Sequence, residues 1–286
     1  MGFFEDYPAS TAKAGIEAMN AVLERLNSAG VSLDEGYIVG QLHRFLMDLN
    51  HALLAIGQDK NANYLDVSCG SAIIPMLLRT LGYKNVNATD VPDYNVTDFG
   101  KRSKYLPLFD LSIKQCDVMR DKLPFPDASM DAVTFMDVIE HLHGSPKGIL
   151  EEMFRVLKPG GRLMVSTANS VSLRHRLAVL VGVTNYTPVQ GFYSAPLPYY
   201  NHIREFTMND LTYCVRMAGF QMQRKVYYAT FFKDFFRVEN NRVVRKPTTK
   251  SPKNIARMML WTVTKGMPTT RDSIAVIAVK GGEKRT

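Results

Sequence analysis

The chain has 286 residues, enough for one large domain or for a core with appended segments. Its composition, with 46% apolar and 22% charged residues, is that of an ordinary globular protein. No apolar run approaches the roughly 20 residues that cross a bilayer, and the first residues lack the features of a signal peptide. Three widely spaced cysteines fit neither a disulfide framework nor a zinc motif. We therefore expect a cytoplasmic protein.

The net charge of +8 comes mostly from one stretch near the C-terminus. Residues 242–266 contain seven Lys or Arg residues and no Asp or Glu. A protein that binds nucleic acid more often spreads its basic residues along a whole face, so nucleic acid is not the expected partner. Apolar residues, including Trp261, lie between these cations. This pattern fits a helix on the core with solvated cations, or a peripheral contact with an anionic membrane.

Two helices are predicted to open the chain. Apolar residues recur with a helical period from Ser10 and Thr11, the candidate N-caps, to Gly30, and again from Ser32 to Gly57. We expect these helices to form an N-terminal extension (1–60). A core (61–232) and a basic C-terminal segment (233–286) that ends in the last strand are expected to follow it.

After residue 60, strand patterns alternate with helical ones. This alternation predicts an α/β fold with a seven-stranded, mostly parallel sheet and helices on both faces. A long segment at 183–201, rich in Pro and Tyr, is expected to be a lid over the acceptor. Thr207 and Asp210 predict a capping box at a helix start. The strands are predicted at 63–67, 85–90, 111–117, 131–137, 162–167, 221–228 and 273–279.

Acidic residues end three successive predicted strands. Asp66 precedes a turn of small residues and a helix, Asp90 ends the next strand, and Asp117 ends the third. Small residues at a helix N-terminus allow a ligand to approach the backbone. An acid about 20 residues beyond such a turn accepts hydrogen bonds from ribose hydroxyls. Asp117 is expected to bind an adenine amino group, with Val118 against the ring.

Five motifs, in this order and spacing, resemble the class I S-adenosylmethionine-dependent methyltransferases, in particular the ubiquinone-type and exopolysaccharide O-methyltransferases. They are LDVSCGS at 65–71, LPFPD at 123–127, MDVIEHL at 136–142, RVLKPGGRL at 155–163 and HIREFT at 202–207. The resemblance implies a Rossmann-like core and S-adenosylmethionine as cofactor. It also implies that KPGG at 158–161 is a structural turn. The expected cofactor-binding residues are Asp66, Ser68, Cys69, Gly70, Asp90, Val91, Asp117, Val118 and Asp137.

Ser68 and Ala72 stand where the family usually has glycine. Ala is tolerated at the third small position of related turns, whereas Ser68 is less favourable if its φ angle is positive. These departures raise the alternative of a catalytically inactive protein that binds the cofactor or a partner. The three acids and Gly70 are retained, which favours an active enzyme.

Histidines are the candidate bases for methyl transfer to a hydroxyl, since their unperturbed pKa lies near neutrality. His141 follows the fourth strand and is the first candidate, although a purely structural role fits it about as well. His202 is the second. In another interpretation Asp137, Glu140, His141 and His202 hold Mg²⁺ or Mn²⁺, as a related pattern does in small-RNA 2′-O-methyltransferases. The simplest interpretation of His43, His51 and His175 is that they lie on helix faces.

The acceptor is not defined by any single motif. SVSLRHRL at 170–177, followed by the aromatic segment and HIREFT, resembles methyltransferases of surface-polysaccharide pathways. We therefore expect O-methylation of a sugar or glycan hydroxyl. A small isoprenoid or phenolic acceptor is the second interpretation, and 2′-O-methylation of RNA is the third.

Overall fold

The computed structural model describes residues 9–31, 35–91, 102–183, 189–194, 201–229, 236–239, 242–245, 255 and 266–281. Most of the predicted lid, and all but six residues of the basic stretch 242–266, therefore lie outside the described residues.

Two long helices precede the sheet, as predicted: α1 (Ala9–Ser28) and α2 (Glu35–Ile56). Gly30 and Gly57 follow them with φ angles of 69° and 78°, the left-handed conformation in which glycine ends a helix without strain. The N-cap assignment of Ser10 and Thr11 was wrong, because both residues lie inside α1. The helix begins earlier because Ala9 and the alanines that follow favour helix.

Within the described residues, seven strands form one sheet in the order β3-β2-β1-β4-β5-β9-β6, and β7 and β8 form a separate hairpin. The first five strands of that order are parallel, and β9 runs antiparallel between β5 and β6. The strands are β1 (Tyr64–Val67), β2 (Val86–Asp90), β3 (Ile113–Gln115), β4 (Met130–Met136), β5 (Leu157–Ala168), β6 (Phe220–Tyr228), β7 (Phe236–Glu239), β8 (Arg242–Arg245) and β9 (Ser273–Lys280).

The remaining helices connect these strands, with short 3₁₀ turns at Leu106–Phe109, Ile139–His141 and Pro268–Thr270. The capping box is present at the start of α8, where Thr207 and Asp210 bond to each other's backbone N–H groups. The helices are α3 (Ile73–Thr80), α4 (Arg102–Tyr105), α5 (Lys147–Val156), α6 (Leu173–Leu180), α7 (Val189–Tyr193) and α8 (Met208–Met217).

Helices cover both faces of the sheet, which confirms the predicted α/β architecture. On one face α1, α2 and α3 pack against alternate strand residues such as Tyr64, Ala132 and Met164. On the other, α5 and α8 pack against the intervening residues, such as Leu65 and Val133. Because successive side chains of a strand point to opposite faces, strands buried on both sides are apolar throughout.

Two strand boundaries differ from the sequence prediction. The third strand ends at Gln115, two residues earlier than expected, so Asp117 lies in the following turn. The fifth begins at Leu157 and includes the KPGG turn. There the Lys158 ammonium lies 2.8 Å from both carboxylate oxygens of Asp131. This turn is structural, as the resemblance implied.

No helix in the described part of the chain is long and apolar enough to cross a bilayer.

The turn into β5 has no room for a side chain at its second glycine. A Cβ atom on Gly161 would lie 2.8 Å from the Lys158 carbonyl oxygen and 3.2 Å from that of Met130. We therefore expect Gly161→Ala to lower the free energy of unfolding by about 1–3 kcal/mol, because the backbone must move. Gly148, in α5, has no atom within 4 Å of the same position and is the matched control.

Gly148→Ala should be neutral or stabilising by up to about 1 kcal/mol, since alanine favours helix. Urea unfolding of both variants measures the two effects. A Gly161→Ala protein as stable as the wild type would show that the turn is not tightly packed.

Candidate functional site

The turn between β1 and α3 alternates between left-handed and ordinary backbone. Ser68, Gly70 and Ala72 have φ angles of 58°, 55° and 57°. For a residue with a Cβ this conformation costs roughly 1–2 kcal/mol, so Ser68 and Ala72 keep the glycine-like backbone under strain. Ala72 is the N-cap of α3 and makes no side-chain capping bond. The first N–H groups of α3 therefore have no side-chain cap and suit an incoming ligand.

Asp66 ends the strand that leads into this turn and is buried. Its Oδ1 atom accepts a 2.7 Å hydrogen bond from the Thr134 hydroxyl. Burial raises the pKa of the Asp66 carboxyl to about 7, the Thr134 bond lowers it, and the nearby Asp90 charge raises it further. A ligand cation close to Asp66 would favour the ionised carboxylate.

Asp90, the predicted ribose ligand, is also buried, but its carboxylate already has a partner. Arg102, in α4, donates from Nη1 to Asp90 Oδ2 at 2.6 Å and to the Gly70 carbonyl oxygen at 3.0 Å. The other carboxylate oxygen accepts the Val91 N–H at 2.8 Å. Burial raises the pKa of Asp90, and the Arg102 charge opposes that rise. A ribose on Asp90 therefore has to share the carboxylate with Arg102 or displace it.

Asp117 does not end its strand as predicted, and its carboxylate accepts a hydrogen bond within the turn that follows. Oδ1 accepts the Met119 N–H at 3.0 Å, and Oδ2 lies 3.5 Å from Nε of the exposed Arg120. Val118, half-buried, packs at the edge of the hydrophobic core. Asp117 was expected to bind an adenine amino group, but both of its carboxylate oxygens have partners within the turn, which the sequence could not show.

These residues fit S-adenosylmethionine. The backbone approaches its ligand at a turn of small residues, and an uncapped helix N-terminus points at the same place. Asp66 and Asp90 place two buried carboxyl groups on adjacent strand ends, a donor set suited to a ligand with cationic groups and a ribose diol. Cys69 is half-buried, and its N–H bonds to the Thr89 carbonyl oxygen at 2.9 Å, which holds the turn against β2.

A polar pocket of about 400 Å³ opens beside this edge, between α2, the ends of β4 and β5, the start of α6 and the start of β9. Its lining contains one aliphatic side chain, that of Ala168, and is otherwise polar or charged. The lining residues are Gln41, Arg44, Asp137, Glu140, His141, Ala168, Ser172, Arg174, His175, His202, Glu205, Asp272 and Ser273.

Asp137 lies at the end of β4 in left-handed backbone, with a φ angle of 51°. Its Oδ2 atom forms a 2.6 Å ion pair with Nη1 of Arg44 from α2. Asp137 therefore borders the pocket but is held by an arginine. Asp137 is therefore not one of the converging metal-ligand candidates, because its carboxylate is already paired with the Arg44 guanidinium.

Glu140, His141 and His202 do come together. One potential ligand atom from each lies within 4.8 Å of the others, and the His141 and His202 rings meet edge to face at 4.9 Å. Glu140 is 1% exposed and accepts a 2.9 Å bond from the Thr167 hydroxyl. Burial raises the pKa of its carboxyl to about 7, and the Asp137 charge adds to the rise. Such a buried carboxyl favours a nearby cation or imidazolium.

Glu205 holds His202 in place. Nδ1 of His202 lies 2.9 Å from Oε1 of Glu205, and this hydrogen bond raises the pKa of the imidazole, against the effect of burial. Nδ1 of His175, from α6, lies 3.4 Å from the other oxygen of Glu205. His175 thus faces the pocket, and its description as a simple helix-face residue was incomplete. The spacing of three residues between His202 and Glu205 was the sequence feature from which their contact could have been predicted.

His43 and His51 are buried side chains of α2, and neither lines the pocket. Nε2 of His43 lies 2.8 Å from the Ala229 carbonyl oxygen. His51 packs edge-on against the Tyr228 ring, and burial lowers its pKa to about 4. Sequence reasoning missed Arg44 and Arg102, whose partners lie far away along the chain.

Comparison with known proteins agrees with this geometry. Residues 65–165 match the family described as a methyltransferase domain. A probable S-adenosylmethionine-dependent methyltransferase of Mycolicibacterium smegmatis is 35% identical over 102 residues, 36% of this chain and 33% of the relative. The ubiquinone biosynthesis O-methyltransferase of Xanthomonas oryzae is 34% identical over 124 residues, 42% of this chain and 48% of the relative. The match thus spans less than half of either relative.

A solved structure from Thermotoga maritima, a possible histamine N-methyltransferase, shares the fold. Its TM-score is 0.52 at 12% identity, covering 93% of this chain and 99% of that one. Residues 65–165 thus match a methyltransferase domain, and the chain shares its fold with the Thermotoga maritima structure.

Proposed function

We propose that the chain is an active O-methyltransferase whose acceptor is a hydroxyl group of a sugar or glycan. The observation that supports this proposal is the set of side chains that line the pocket, all of which except that of Ala168 carry a hydrogen-bond donor or acceptor. A polyhydroxylated acceptor can satisfy such groups, whereas an isoprenoid chain would leave them without hydrogen bonds.

S-adenosylmethionine, when bound, supplies a methyl group that is attached to a sulfonium. The hydroxyl oxygen of the acceptor bonds to the methyl carbon, and the sulfur leaves as a neutral thioether. The task of this chain is to align the acceptor and to take the hydroxyl proton. His141 and His202 face each other at the pocket. In the neutral tautomer with its proton on Nδ1, His202 donates a hydrogen bond to the Glu205 carboxylate, and Nε2 of that ring then has a lone pair for the acceptor. His141 lies beside it and remains the first candidate base.

Acceptors of the ubiquinone pathway are the second candidate, because several relatives carry names from that pathway. Their phenolic ring is compatible with a pocket of this volume, but an isoprenoid tail would have to lie outside it. An inactive cofactor-binding protein is the remaining alternative. The strained but preserved turn at Ser68 and Ala72, together with buried Asp66 and Asp90, argues for a working cofactor site.

A metal-assisted mechanism is a second proposal, favoured by the convergence of Glu140, His141 and His202. Mg²⁺ or Mn²⁺ held by these side chains would lower the pKa of a bound hydroxyl. Imidazole ligands suit Mn²⁺ better than Mg²⁺, since Mg²⁺ prefers oxygen ligands.

The acceptor proposal is tested with cofactor labelled in its methyl group. The purified chain is incubated with oligosaccharides and nucleotide sugars, with phenolic quinone precursors, and with RNA. We expect label in the sugar fraction alone. Label in the phenols alone would refute the sugar acceptor and leave the methyltransferase assignment intact.

Cofactor binding is expected to depend on Asp90. Loss of its charge-assisted hydrogen bonds costs about 1.5–3 kcal/mol, so Asp90→Ala should raise the Kd for S-adenosylmethionine at least tenfold. Calorimetry measures the change, with thermal unfolding as a check, because the variant leaves the buried Arg102 without its partner. Asp127→Ala is the matched control, since its carboxylate is exposed and pairs with Arg155. A wild-type chain that binds no cofactor would support the inactive alternative.

The base and the metal site predict different results. If His141 is the base, His141→Ala should lower kcat by about 10²–10⁴ and leave cofactor affinity unchanged, and EDTA should have no effect. His143→Ala is the control, because this neighbouring histidine is exposed.

If Glu140, His141 and His202 hold a cation, EDTA should abolish turnover and Mn²⁺ or Mg²⁺ should restore it. His141→Ala and His202→Ala should then be equally damaging, because each removes one ligand of the same site. Full activity of both variants, with and without chelator, would contradict both mechanisms and indicate that transfer relies on alignment alone.

A further inference from the structure

Helix α6 buries none of its residues, although half of them are aliphatic. The exposed fractions are 51% for Leu177, 79% for Leu180 and 76% for Val181, which follows the helix. An eight-residue helix is marginal in water by itself and normally gains its stability by burying an apolar face. The apolar surface of α6 therefore suits a partner outside the described part of the chain.

Three of the exposed apolar residues form one stripe that starts at the pocket, and Val179, which is 57% exposed, lies on another face of the helix. Arg174, Leu177, Leu180 and Val181 are spaced by three, three and one residues, which places them on one helix face. Arg174 lines the pocket. The stripe thus runs outward from the pocket mouth.

Exposed apolar side chains are also present in the short helix α7. Val189 is 66% exposed and Tyr193 is 89% exposed. An aromatic ring with a polar tip is suited to the boundary between water and lipid.

The charge of this region identifies the partner. Between Glu152 and Glu205 the chain has no Asp or Glu, whereas Arg174, Arg176 and Arg204 are exposed there. A second copy docked on the same face would bring these like charges together. Exposed leucines and valines beside arginines, with no acid in this stretch of the sequence, instead match an anionic bilayer surface.

We infer that α6, together with Val189 and Tyr193, inserts into the headgroup region of an anionic membrane and holds the pocket mouth at its surface. This contact differs from the basic stretch 242–266, which the sequence alone had suggested as a membrane contact. The inference goes beyond the proposed methyl transfer and does not depend on it, because binding to lipid requires neither cofactor nor acceptor.

Vesicle flotation of the full chain tests the inference. The probes are vesicles of phosphatidylcholine alone and vesicles with 30% phosphatidylglycerol, at low and at high salt. We expect the wild type to float with anionic vesicles at low salt. The double variant Leu177→Gln/Leu180→Gln should lower the partition coefficient at least tenfold, because it removes apolar surface and changes no charge.

The matched control is Tyr213→Gln/Met217→Gln on α8. Each of these side chains is 64% exposed, so the control removes apolar surface of similar exposure from another helix. Its partition coefficient should equal that of the wild type. Circular dichroism checks that all variants are folded.

Tryptophan fluorescence locates the contact directly, since the chain has one tryptophan, Trp261. In a Trp261→Phe background, brominated lipid should quench a Tyr193→Trp variant and should not quench a Tyr213→Trp variant. Equal fluorescence of the two with and without brominated lipid would overturn the inference.

Three other outcomes would also overturn it. The wild type fails to float at low salt. The α6 double variant floats like the wild type while Lys250→Gln/Lys253→Gln does not, which would make the basic stretch the contact. Alternatively, sedimentation shows a wild-type dimer that the α6 double variant dissociates, which would make a second copy the partner.

Discussion

Buried acidic groups at the carboxyl edge of the parallel strands are the constraint on which the rest of this site depends. Burial penalises an ionised carboxylate by several kcal/mol unless donors or cations compensate. Each acid at this edge has such a partner: Thr134 for Asp66, Arg102 for Asp90, Arg44 for Asp137 and Thr167 for Glu140. Neutral hydroxyl partners leave the pKa of Asp66 and Glu140 near 7, so these two respond most to an incoming cation.

The turn at residues 68–72 shows why strain is tolerated next to these acids. Ser68 and Ala72 adopt the backbone that glycine would take, and two hydrogen bonds keep them there. The Cys69 N–H bonds to the Thr89 carbonyl oxygen, and the Ala72 N–H to that of Cys69, both at 2.9 Å. The sheet thus determines the turn more strongly than its own residues do. Strain held in this way is common where a backbone must fit a ligand.

The elements of the fold could be predicted because each depends on local periodicity. Both opening helices and every strand of the main sheet were found, with ends displaced by up to five residues. The fifth strand starts earlier because Leu157, before the KPGG turn, already pairs with Met130 of β4, and regular pairing resumes after the turn at Arg162. Partners could not be predicted in the same way. The sequence around Arg44 does not indicate that it pairs with Asp137, 93 residues away, and the sequence around Arg102 does not indicate its pairing with Asp90, 12 residues away. Only the tertiary fold brings these pairs together.

His202, a candidate base, lies in a segment that is hydrogen-bonded to the start of the exposed helix α6. Ser170 donates its N–H to the Phe206 carbonyl oxygen, and Asn169 forms a bridge with Phe206, so the start of α6 is joined to the strand-like segment that carries His202 and Glu205. His175, in the first turn of α6, then reaches the same Glu205 carboxylate. The helix is anchored at the pocket end and exposed at the other. A contact on the outer face of α6 would therefore act on a helix whose start is hydrogen-bonded to the segment that positions His202.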